Sequence, residues 1–137
     1  MIPPSSAQIA AQIEDLYGAP LVDLEAHVRD QPSGMLAALL GGHHTLALAE
    51  RSITVHCERI RQLVVPEQQM GTEVVPHILD CSRRLTEAVA VRDTQSATIQ
   101  AVLQSLGRTP APEQPAAPTS VPSVPASTTS AGTAPGR

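Results

Sequence analysis

The chain has 137 residues and a net charge of −4, from nine arginines against thirteen acids; it contains no Lys, Asn, Phe or Trp, and Tyr17 is its only aromatic residue. Without lysine there is no P-loop phosphate cradle, no Schiff-base chemistry and no Ser–Lys dyad. The lack of a cationic face and of stacking rings argues against direct nucleic-acid binding.

The length fits one domain plus a tail. The longest apolar run, Met35 to Gly42, falls far short of the ~18 residues of a membrane span. The N-terminus lacks the basic and continuous apolar regions of a secretory signal, and two cysteines are too few for a disulfide framework. A soluble, cytoplasmic protein is expected.

Taken in chain order, the segments read as helix. Ser5 with Gln8 forms a capping-box pattern, followed by Ile9, Ile13 and Leu16 on one face and a stop at Gly18. Pro20 starts a second short helix carrying Leu21, Leu24 and Val28, which ends before Pro32. Ser33 is the expected cap of a long helix running to about Val65, where Pro66 forbids continuation. The stretch PEQQMG is the expected turn, Thr72 the expected cap of a last helix, and Gly107 its end. No segment alternates with period two, so no sheet is expected.

Both long segments carry heptad-like rows. Leu39, Leu46, Ile53 and Ile60 lie seven apart, beside a smaller row of Gly42, Ala49, His56 and Leu63. In the last helix, Val75, Ser82, Val89, Ser96 and Leu103 form one row and Ile78, Leu85, Arg92, Ile99 and Leu106 the other. The expected fold is all-α: an antiparallel, coiled-coil-like hairpin of two long helices over residues 1–107, with one or two short N-terminal helices packed on it. Residues 108–137 hold seven Pro, nine Ser or Thr and six Ala, a composition that reads as a disordered tail. Its PxxP spacings at 112–115, 115–118 and 122–125 make it a weak candidate ligand for a polyproline-binding module.

A turn near residues 68–69 places positions of the two long helices level when their numbers sum to about 137, by the geometry of an antiparallel pair. Cys57 and Cys81 then lie within a residue of each other's level, with His56 and His77 within a turn. His56, Cys57, His77 and Cys81 are thus a candidate metal set, or the cysteines a cross-hairpin disulfide. Against the metal set, adjacent His56 and Cys57 diverge by ~100° around a helix; against both readings, free cysteines pack as small hydrophobes.

The same register sets His43 and His44 of LLGGHHTLAL opposite RDTQS at 92–96. His43, His44 and Arg92 form a candidate polar layer, with Arg92 reaching a histidine, Glu50, Asp23 or Glu25. The alternative is a break in both helices at this level; continuity is the reading taken. His44 is followed by Thr45, Leu46, Ala47 and Leu48, bulky where a reactive histidine needs access. No nucleophile elbow, EF-hand loop, glycine-rich phosphate loop or HExxH helix occurs.

These features point to a non-enzymatic helical protein–protein interaction module, an adaptor, assembly component or chaperone-like subunit, with no cofactor. It would bind partner helices or a second copy through Leu39, Leu46, Ile53, Ile60, Ile78, Leu85, Ile99 and Leu106. The alternative is a small metal- or redox-linked helical protein built on Cys57 and Cys81 with the nearby histidines.

Overall fold

The computed structural model describes residues 2–64 and 71–108. They form four helices: α1 (Ser6–Tyr17), α2 (Leu21–Asp30), α3 (Met35–Leu63) and α4 (Val74–Gly107), with no strand among the described residues. The expected PEQQMG turn, apart from Gly71, and the expected tail beyond Arg108 lie outside the described residues.

Local chemistry sets the first helix at both ends. The Gln8 N–H donates to Ser5 Oγ at 3.3 Å, and the Ser5 N–H donates to Gln8 Oε1 at 2.9 Å, closing the capping box. Gly18 ends α1 at φ 67°, where a side chain would be strained, and its N–H reaches Glu14 O at 2.7 Å. Glu14 also stabilises the next helix. The Leu21 N–H donates to Glu14 Oε1 at 2.7 Å, serving an α2 start that has no side-chain cap of its own.

Two expected caps are corrected. Ser33 does not cap α3; Gly34 takes the cap position at φ 104°, a conformation open to glycine. Thr72 does not cap α4, whose cap position falls on Glu73 with no side-chain bond. In both cases the cap position falls one residue after the hydroxyl and the helix begins two residues after it. Fraying of this size is common at helix ends.

α3 and α4 are continuous through 41–44 and 92–96 and make the most extensive contact in the molecule. They run antiparallel. A Cβ placed on Gly42 would meet Ile99 Cγ1 and Cδ1 at 3.1 Å and Gln95 Oε1 at 3.5 Å, and further along Ala49 and Ala88 line one hollow, as the pairing sum places them. α1 lies across both long helices, and α2 packs on α3 and α1.

The core is where all four helices meet. Ile9 and Ile13 of α1 are fully buried against Leu39, Leu40 and Leu46 of α3 and Ile99 and Leu103 of α4, with Leu24 of α2 closing one side. No helix among the described residues is long and apolar enough to cross a membrane.

Candidate interaction surface on the long hairpin

The hairpin has two halves with the same sequence pattern and different surroundings. Between Leu39 and Ala49 on α3, and between Ala88 and Leu103 on α4, the inward rows are buried. Beyond that level nothing is. Neither residues 50–63 of α3 nor residues 74–87 of α4 include a buried side chain. This outer half, the arm, is two helices about 21 Å long at 1.5 Å per residue.

The expected interface row is therefore divided. Leu39, Leu46 and Ile99 are corrected to core: α1 covers them, and Leu46 has no exposed surface for a partner to contact. Ile53, Ile60, Ile78 and Leu85 are half-buried along the arm, and Leu106 is exposed near the end of α4. Exposed apolar side chains accompany the arm, among them Val64, Val75 and Leu79.

The N-terminal segment marks where the cover stops. The Ser6 N–H donates to Glu50 Oε1 at 2.8 Å, and the Ser6 hydroxyl donates to Glu50 Oε2. Ser96, fully buried, donates from Oγ to Pro4 O at 2.8 Å. Ile2, Pro3 and Ser5 border one hollow with Glu50, Ile53 and Arg92. Ile2 itself is 92% exposed at this step.

These contacts change the expected polar layer. Arg92 Nη2 pairs with its neighbour Asp93 at 2.8 Å, and Glu50 is taken by Ser6. No hydrogen bond or ion pair among the described residues joins Arg92 to His43, His44, Glu50, Asp23 or Glu25. His43 is half-buried and His44 exposed. The buried polar contacts at this height come instead from the N-terminal segment, which satisfies groups that would be costly to bury alone. One signal for this was present: Ser96 breaks an apolar row, as a buried hydroxyl with a dedicated acceptor does.

The cysteine level is assembled only in part. Cys57 and Cys81 are both half-buried free thiols. His56 and Cys81 border the same shallow groove, while Cys57 lies one helical step round and His77 is exposed. Among the described residues no three His, Cys, Asp or Glu side chains converge as a metal site would require.

Charge on the arm includes a small network. Asp80 accepts from Arg84 Nε at 3.0 Å and Arg83 Nη2 at 3.2 Å, and Arg61 pairs with Glu58 at 3.5 Å. The Arg84 hydrogen bond, with Arg83 beside it, holds the Asp80 carboxyl below its ordinary value. These side chains are largely exposed, so the pairs add little stability. Comparison with known protein families, with characterised proteins and with solved structures finds no match to this chain.

Proposed function

We propose that the chain is a non-enzymatic helical interaction module, an adaptor, assembly component or chaperone-like subunit, that works through the uncovered face of the α3–α4 arm in the cytoplasm. One observation carries the reading: the heptad rows continue past Leu46 and Ile99 through Ile53, Ile60, Ile78 and Leu85 after their cover has ended. Isolated helices of about 12–15 residues are marginal in water. A two-helix arm of this length with a continuous apolar spine gains from a partner that supplies further helices.

Affinity capture from the native host, using the wild-type chain and an Ile60→Arg/Ile78→Arg variant side by side, tests the reading. Binding that depends on the arm is expected. If the chain stays monomeric by light scattering, takes up no apolar dye and captures the same proteins with or without the variant, the proposal fails.

A further inference from the structure

We infer that the occupant of the arm is a second copy of this chain, docked antiparallel so that two arms form a four-helix bundle with a four-helix base at each end. The inference rests on the interaction-module reading above and names its partner.

The face is set by the N-terminal segment. Ile53 and Arg92 border the hollow under Ile2 and Pro3, so the side on which α1 sits includes Ile53 on α3 and the Arg92 row on α4. Helical periodicity carries that side outward along the arm, through Cys57 and Ile60 on α3 and through Leu85 and Ile78 on α4. The arm's charged side chains Asp80, Arg84 and Glu87 border hollows with Val55, Ser52 and His56, on the other side. The α1 side of the arm thus carries the Ile53–Ile60 and Ile78–Leu85 rows, while the other side mixes these charges with the exposed Leu48, Val55 and Val91.

The apolar face is complementary to itself. Ile53 and Ile60 on α3 and Ile78 and Leu85 on α4 are pairs seven apart, and the midpoints of both pairs fall within a residue of one level, that of Cys57 and Cys81. A twofold axis there lays Ile53 on the partner's Ile60 and Ile78 on the partner's Leu85, the isologous arrangement of a closed dimer. The arm also has the right length. Full overlap brings the partner's tip, with its exposed Val64 and Val75, to the step where Ile2 stands 92% exposed.

Charge favours the same orientation. Residues 1–49 hold five acids and one arginine, whereas the acids and arginines of 50–64 and 73–88 balance at five each. Antiparallel docking lays neutral arm on neutral arm and sets the two acidic bases at opposite ends. The face measures about 21 Å by 20 Å, so the dimer buries about 840 Å² in total, the size of a weak, transient interface. A concentration-dependent dimer in the micromolar range is expected.

Sedimentation equilibrium on the full chain should show the mass rising with concentration from 14.4 kDa towards twice that value. A short bis-maleimide should link copies through Cys57 in the wild type and in Cys81→Ser, and fail to do so in Cys57→Ser. Ile60→Arg and Val75→Arg should each weaken the dimer tenfold or more; Val75 is exposed, so its variant keeps the helical circular dichroism whatever Ile60→Arg does to folding. A monomer at every concentration, links that need Cys81 alone, or a dimer indifferent to Val75→Arg would overturn the inference. A monomer that still captures another protein through the arm removes the second copy and leaves the interaction module standing. A monomer without arm-dependent capture removes both.

Discussion

Two adjacent glycines in one helix should respond to the same substitution with opposite sign. Gly41 is exposed, and a Cβ there would meet nothing within 4 Å. Gly41→Ala therefore collects only the difference in helix propensity, a gain of about 0.8–1 kcal/mol. At Gly42 the same gain is opposed, because the new methyl would lie 3.1 Å from both Cγ1 and Cδ1 of Ile99, a few tenths of an ångström too close. Ile99 is 3% exposed and packed in the core, so it has little room to yield. Overpacking of this kind costs about 1–3 kcal/mol, leaving Gly42→Ala destabilised by about 1 kcal/mol. In a domain of this size each kcal/mol moves Tm by roughly 4–8 °C, so the two variants should separate by about 10 °C. Urea unfolding followed by circular dichroism, at one low protein concentration, measures the pair. Equal stabilisation by both substitutions would refute the close approach of α3 and α4 at this level.

Three other changes probe the N-terminal clamp and the arm. Glu50→Ala removes both acceptors of Ser6 and should cost about 2–3 kcal/mol, with amide exchange accelerating first in α1. Ser96→Ala leaves Pro4 O without its buried donor and should cost about 1–2 kcal/mol, read by the same unfolding assay. Asp80 should titrate below the ordinary aspartate range by NMR, held down by the Arg84 hydrogen bond, and return towards that range in Arg84→Ala. Because the folded value is depressed, the ion pairs are present above the ordinary aspartate range and are lost as pH falls through the depressed value.

What could be read from the sequence was what depends on near neighbours. The Ser5–Gln8 box and the Gly18 stop join residues three or four apart, so their partners are visible in a string of letters. The register of α3 on α4 was legible because a single short connection leaves an antiparallel pair almost no freedom to slide. The clamp was not legible. Ser6 meets Glu50 from 44 positions away and Ser96 meets Pro4 from 92, and such pairings follow only once α1 has been laid across the hairpin. Arg92 interrupts an apolar row, which in the sequence points to a polar layer with His43 and His44. In the folded chain it sits where that row leaves the core, half-buried, and Asp93 beside it satisfies it at lower cost than a histidine across the bundle.

Leu46 and Ile53 stand one heptad apart on the same row, yet Leu46 is fully buried and Ile53 is not. The difference is the length of α1. Its 12 residues span about 18 Å, whereas the 29 residues of α3 span about 43 Å, so the cover runs out while the pattern continues. If the excess length serves association rather than folding, it should be removable. Deleting residues 53–59 together with 78–84 takes one level heptad from each helix, keeps the antiparallel register and leaves the core under α1 untouched. Such a chain should keep its helical fold and lose less than about 2 kcal/mol of stability, since the removed turns bury no side chain and short unpartnered helices add little. It should also lose self-association and arm-dependent capture together. Global unfolding of the shortened chain would show that the arm is part of the folding unit, and intact association would show that partners bind elsewhere.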